Sequence, residues 1–321
     1  MRVAALFASL LLVSAPAAAE TFPQFLTQLE AQAVKTGLPR DFVSMQLQGL
    51  EPHQRIIELD RQQAGPGTRA PWPVYRDRVI TKARINKGRA LMAEHSALLH
   101  KIGRHYGVPP QYIVALWGLE TSYGANTGGF DVVQALATLA WEGRRREMFT
   151  DETLNALKIL YEGHIPRKSF KGSWAGAMGQ CQFMPSSFFK FAQDWTGDGH
   201  KDIWTAKADV FASTANYLHT EGWEDNIRWG RRVKLTKPVP SSMIGLESRA
   251  TLATWANYGV IGANGAALPL ENIEASLLAP DGLDGEIFLV YMNFRTIMKW
   301  NRSTNFALSV GHLADHIASG R

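Results

Sequence analysis

A single cysteine, Cys181, stands in a chain of 321 residues, so no intramolecular disulfide can brace the fold. Past the N-terminus no stretch is long and uncharged enough to span a bilayer. No internal repeat, low-complexity tract or long linker divides the sequence. Its basic residues are scattered and no recognition helix or RNA motif accompanies them, which argues against a nucleic-acid binder. Net charge is modest. The formal +5 falls to +4 if Arg2 is lost with a leader peptide, a balance that suits an anionic polymer and equally suits simple solubility.

What is present is an ordinary globular composition, 45% apolar and 20% charged, with a surplus of tryptophan at ten residues. Aromatic faces beyond those a core needs are what carbohydrate grooves use. Arg2, the apolar run Ala4 to Val13 and the small residues Ala17-Ala18-Ala19 read as a secretory signal over residues 1–19, so the mature chain of 20–321 is expected to be exported.

Helical spacing recurs from Thr21 to about Gln63, a Gly- and Pro-rich loop follows from Gly65 to Trp72, and Arg76 to His105 reads as one long helix. Gly107-Val108-Pro109-Pro110 then breaks the chain and starts a helix running to Gly124. Further helices are expected over Val132–Trp141, Thr150–Tyr161, Ser186–Trp195, Ala206–His219 and Phe306–Ile317. Between about Ile227 and Phe288 the texture changes to short segments bounded by Gly, Pro and Asp; Arg231–Leu235, Ile273–Leu278 and Ile287–Tyr291 read as strands. The expected class is mainly α with a small β subdomain.

Two segments carry chemistry. GLETSYG (Gly118–Gly124) places Glu120 on a helix with Ile113, Leu116 and Trp117 seven, four and three residues earlier, on one face. A carboxyl pressed on such neighbours loses hydration and keeps its proton near neutral pH, as a general acid must. On periodicity alone, a structural Glu paired with a buried Arg is as good a reading. GSWAGAMGQCQFMPSS (Gly172–Ser187) supplies small residues that let a polymer approach the backbone, with Gln180 and Gln182 as amide partners. Together they suggest a groove holding a sugar chain beside one acid. The second carboxylate of an ordinary glycosidase does not stand out. Asp131, Glu142 and Glu147 are more easily read as a cap, a solvated face or partners for Arg144 to Arg146. With one acid acting alone, the substrate would have to supply its own nucleophile, an acetamido oxygen or a hydroxyl.

A third segment, Asp194 to Asp202, places oxygen-bearing side chains at positions 1, 3, 5 and 9 of an EF-hand-like loop, with Gly199 at position 6. Position 12 is Thr205 rather than Glu, so closure would fall to Asp209. Asp194, Thr196, Asp198, His200 and Asp209 are the candidate ligands of a structural Ca²⁺ or Na⁺. A tight Asp-Gly turn without metal is the competing reading. No catalytic cofactor is expected.

GLETSYG, GSWAGAMGQCQFMPSS, DWTGDGHKDIW and ANYLHTEGW in that order, then NYGV and WNRS, resemble the lytic murein transglycosylase B family of Gram-negative bacteria over about Phe22 to Ile317. The resemblance implies a lysozyme-like α core, a periplasmic location and peptidoglycan glycan strands as substrate. It implies cleavage of the β-1,4 bond between N-acetylmuramic acid and N-acetylglucosamine by attack of the muramic 6-hydroxyl, leaving a 1,6-anhydro end. Glu120 matches the catalytic acid, which would then turn base. Ser173, Gln182 and Tyr217 match sugar-contacting positions. Arg144 and Arg145 match a basic pair suited to substrate carboxylates, and Trp300 and Phe306 stand where the family often has Tyr. A water-using muramidase and a non-catalytic glycan-binding scaffold are the alternatives.

Overall fold

The computed structural model describes residues 20–63 and 70–319; the segment expected to be a leader (1–19) and most of the Gly- and Pro-rich loop (64–69) lie outside the described residues. The first third is helical: α1 (Phe22–Lys35), α2 (Arg40–Leu47), α3 (Gln54–Arg61), α4 (Trp72–Val79), α5 (Lys82–Glu94), α6 (Ser96–Tyr106) and α7 (Pro110–Thr121). The expected single helix over 76–105 is therefore three pieces. Ile80 leaves helical geometry after α4, Thr81 caps α5 by accepting the Arg84 N–H, and His95 turns the chain into α6.

A short ribbon, β1 (Phe130–Asp131), leads into α8 (Val132–Glu142) and α9 (Arg146–Tyr161), and β2 (Lys171–Gly172) pairs antiparallel with β1. Next come α10 (Pro185–Phe191) and α11 (Lys207–Thr220). The helix expected to reach Trp195 ends early because Ala192 is extended and the Gln193 N–H turns aside to Ser213 Oγ.

The β part comprises β3 (Gly230–Leu235), β4 (Ala250–Thr251), helix α12 (Leu252–Asn257), β5 (Val260–Gly262), β6 (Glu274–Leu278) and β7 (Ile287–Val290), in sheet order β4-β6-β7-β3-β5 with antiparallel pairings. Helices α13 (Met292–Trp300) and α14 (Thr304–Ala318) return the chain to the main core.

Strand β7 shows how the two parts join. All four of its residues are buried, and the period of two sends Phe288 and Val290 into the helical core, while Ile287 and Leu289 face a second core with Val233, Leu252 and Trp255. At the centre, α7 is buried on nearly every side and packs on α14 and α5. No helix among the described residues is long and apolar enough to cross a membrane.

Candidate active site

Helix α7 delivers Glu120 at its last turn, and the chain then turns sharply. Ser122 (φ 51°), Tyr123 (φ 64°) and Gly124 (φ 79°) are all left-handed, a conformation that costs non-glycine residues about 1–3 kcal/mol each unless neighbours hold it. Here neighbours do. Tyr123 donates its hydroxyl to Arg84 O at 2.8 Å, Lys87 Nζ reaches Ser122 O at 3.2 Å, and the Gly124 N–H is taken by Thr121 Oγ1 at 3.0 Å. The Tyr123 ring folds back over Gly118, where an added Cβ would meet it at 2.6 Å. So the helix ends at Thr121, three residues before Gly124, and the motif's glycines make room for this turn.

Glu120 itself is half-buried. One donor reaches it: Trp300 Nε1 to Oε1 at 2.7 Å. No cation pairs with it among the described residues, which removes the reading as a salt-bridged structural Glu. Burial pushes its pKa from 4.5 up to about 7, against the smaller opposing pull of the Trp300 hydrogen bond. Such a group holds a proton at neutral pH and can release it.

Opposite stands the Gly172–Ser187 segment, tied to α7 through Gln180. The sequence suggests Gln180 as a ligand-facing amide; the structure corrects this. Gln180 is buried, its Oε1 takes Trp117 Nε1 (2.8 Å) and Lys207 Nζ (2.9 Å), and its Nε2 donates to Trp204 O (2.6 Å). A Cβ on Gly124 would fall 2.3 Å from Gln180 Oε1, so the turn and this clamp fit only with glycine there. Gln182 is left-handed (φ 51°) and half-buried, donating Nε2 to Thr127 O and Gly179 O while Oε1 takes no donor among the described residues. Ser173 accepts the Ala177 N–H at 3.0 Å, leaving its hydroxyl hydrogen free to donate. Cys181 is fully engaged: it donates to Val210 O, and burial, helped by the nearby Glu120 charge, raises its thiol to about 12.

Aromatic residues complete the wall. The Trp300 ring lies 4.6 Å from Tyr217 and 5.3 Å from Phe183, with Phe191 4.2 Å behind Tyr217. Burial raises the Tyr217 hydroxyl to about 12, so it stays protonated. Sequence reading did not single out Phe183. Trp300, which stands where the family often has Tyr, turns the edge of its ring to Glu120.

Other expected site residues sit elsewhere. Arg144 and Arg145 both close on Asp60 of α3, whose carboxylate is buried: Arg144 Nε reaches Oδ2 at 3.1 Å and Arg145 Nη2 reaches Oδ1 at 2.5 Å. Their charge neutralises an internal carboxylate instead of facing the acid. Phe306 is buried in the main core, its N–H capped by Ser303 Oγ. Asp131 caps α8 and pairs with Arg167, Glu142 pairs with Arg61, and Glu147 is exposed, so none is a second carboxylate at the acid. A cavity of about 530 Å³ lined by Ile57, Arg61, Trp141, Glu142 and Arg146 likewise contains no residue around Glu120.

In the 194–209 loop the donors are hard oxygens of the kind Ca²⁺ takes. Most of their carboxylate oxygens already accept protein N–H groups. Asp194 accepts N–H groups of Gly197, Asp198 and Gly199; Asp209 accepts those of Trp195, Thr196 and Asp202; Asp198 Oδ1 accepts that of His200. Thr196 donates its hydroxyl to Asp194. Among the described residues no three His, Cys, Asp or Glu side chains converge as an ion cage. The loop thus stands as a hydrogen-bonded clip, with the ligand arrangement expected from sequence not preformed.

With this geometry in place, the comparisons with known proteins are direct. The family model described as "Transglycosylase SLT domain" matches residues 21–315. The membrane-bound lytic murein transglycosylase B of Escherichia coli (strain K12) is 33% identical over 258 residues, 79% of this chain and 70% of that protein. SltB3 from Pseudomonas aeruginosa, solved in complex with NAG-anhNAM-pentapeptide, superposes with a TM-score of 0.90 at 40% identity, covering 94% of this chain and 80% of that one. The Escherichia coli lytic transglycosylase Slt35 in complex with calcium gives 0.79 at 30% identity, with 92% of each chain covered. These agree with the helix-rich fold, and the chain belongs to the Transglycosylase SLT domain family, that of the lytic murein transglycosylases.

Proposed function

We propose that this lytic transglycosylase cleaves peptidoglycan with Glu120 as its one catalytic carboxyl, first acid and then base. The observation that carries the reading is the state of that carboxyl: half-buried, unpaired with any cation, and shifted to about 7. The neutral acid protonates the glycosidic oxygen as the bond to the muramic anomeric carbon breaks. The resulting carboxylate then accepts the proton of the muramic 6-hydroxyl, whose oxygen closes on the same carbon. Atoms balance without water, and the product is the 1,6-anhydro sugar, the form of the ligand bound to SltB3. This route needs no second carboxylate, in keeping with the engagement of Asp131 and Glu142 elsewhere.

Ser173 and Gln182 are proposed to hold the glycan, supported by a hydroxyl hydrogen and an amide oxygen left without protein partners. Tyr217 and Trp300 form the apolar wall behind the reacting sugar. Export to the periplasm follows from the leader pattern of residues 1–19. The loop at 194–209 is proposed to accept Ca²⁺ or Na⁺ as an addition to an already folded clip. Support comes from its hard-oxygen donors and from the calcium complex of the related Slt35.

Mass spectrometry of muropeptides released from purified sacculi tests the mechanism. Anhydro ends, one water lighter than hydrolytic ends, are expected, and Glu120→Gln should reduce their release by at least about 10²–10⁴-fold while leaving the fold intact. Hydrolytic ends would instead identify a muramidase, and retained activity in the variant would remove Glu120 from its role.

A further inference from the structure

Helix α13 ends at Trp300, and the indole is held on two sides, by Tyr217 from α11 and Phe183 from the Gly172–Ser187 segment. Its orientation is therefore set by packing from three parts of the chain. From that position it gives its only polar hydrogen to Glu120 Oε1. No donor among the described residues reaches Oε2.

An indole N–H donates and cannot accept. We infer that Trp300 is a positioning residue that assigns the two carboxyl oxygens different tasks: Oε1 is kept as acceptor, and Oε2 alone carries, gives and retrieves the catalytic proton. The inference rests on Glu120 being the acid.

The reasoning is one of donors and acceptors. In a neutral carboxyl the carbonyl oxygen is the better acceptor, so a fixed N–H at Oε1 places the hydroxyl on Oε2. Because Trp300 offers no lone pair, it cannot divert that proton into an internal hydrogen bond, as a phenol in its place could. After Oε2 has protonated the glycosidic oxygen and the C–O bond has broken, both oxygens share the negative charge, and the indole N–H stabilises it. The free site is again Oε2, on which the 6-hydroxyl proton arrives as its oxygen bonds to the anomeric carbon. The same atom thus starts and ends the cycle protonated, and no rotation of the carboxyl is needed between the two half-steps.

The test compares Trp300→Phe and Trp300→Tyr with the parent enzyme, reading the pH profile of anhydro-muropeptide release and, separately, the carboxyl titration of Glu120 by ¹³C NMR. Loss of the N–H in Trp300→Phe removes a bond that favours the charged form. The titration and the alkaline limb of kcat/KM should both move to higher pH, and the plateau should fall by roughly tenfold. Trp300→Tyr restores a donor, so its titration should return toward that of the parent. A uniform loss of rate with limb and titration unmoved in Trp300→Phe would reduce Trp300 to packing and overturn the inference. Should Trp300→Phe not fold, the parent decides: the Trp300 indole N–H resonance should move together with the Glu120 titration, and an indole resonance that stays constant through that pH range overturns the inference. Glu120→Gln run alongside separates the two failures, since activity in that variant removes the acid itself, whereas an inactive variant with an unmoved Trp300 series removes only the positioning role.

Discussion

The burial that keeps Glu120 protonated near neutral pH should cost the folded protein stability, and the size of that cost can be measured. In the unfolded chain the carboxyl ionises near 4.5; in the native state it does so at about 7. Between those values the native state holds a proton that the unfolded state has lost, so stability falls as pH rises through the window and the penalty is complete above pH 7. A difference of two and a half units at about 1.4 kcal/mol each amounts to about 3.5 kcal/mol. The amide in Glu120→Gln cannot ionise, keeps an oxygen for the Trp300 N–H, and changes volume little. The variant should therefore melt close to the parent at pH 4 and about 5 °C above it at pH 8, given an unfolding entropy near 2 cal/mol/K per residue over a chain of this length. Paired thermal scans at the two pH values are the assay. Other carboxylates titrate in both proteins and cancel in the difference. If the gap between parent and variant is the same at pH 4 and pH 8, or if the parent is the more stable at pH 8, the carboxyl is not desolvated and the acid reading loses its basis.

Two further outcomes are expected. Gln180→Ala strands the Trp117 and Lys207 donors and the Trp204 carbonyl, so chemical denaturation should show a loss of about 2–4 kcal/mol; a loss below 1 kcal/mol would mean that the clamp between α7 and the Gly172–Ser187 segment is not holding them together. For the 194–209 loop, Ca²⁺ in excess should raise the melting temperature of the parent, and Asp198→Ala should abolish that rise. Equal melting of the parent in Ca²⁺ and in chelator would leave the hydrogen-bonded clip as the whole account.

Local signals in the sequence were enough to single out Glu120, the proposed acid, because what isolates it begins within its own helix. Ile113, Leu116 and Trp117 announce a buried α7, and Gly118 and Gly124 announce a tight departure from it. Where the reading failed, the missing fact was usually a partner far away in the chain. Arg144 and Arg145 look like a charge run free to meet a ligand until Asp60 is seen to be internal. Its spacing from Ile56 and Ile57, both buried, was the available sign that Asp60 sits on the inward face of α3 and would need neutralising. Phe306 shares a stripe with Val310, Leu313 and Ile317, the mark of a core residue, which outweighs its standing where the family often has Tyr.

Trp300 had no such sign. Its hydrogen bond spans 180 residues and exists because α13 returns from the sheet to the main core, bringing the indole edge to the end of α7. The β part therefore has a consequence at the acid even though it supplies none of the residues touching it. By sending Phe288 and Val290 into the helical core, β7 fixes where α13 begins, and nine residues of helix fix where Trp300 ends. A helix rises about 1.5 Å per residue and turns about 100°, so shifting α13 by one residue would rotate the indole away from Oε1 altogether. The dryness of the carboxyl comes from α7 and its neighbours, but which of its oxygens meets the indole N–H depends on that distant register.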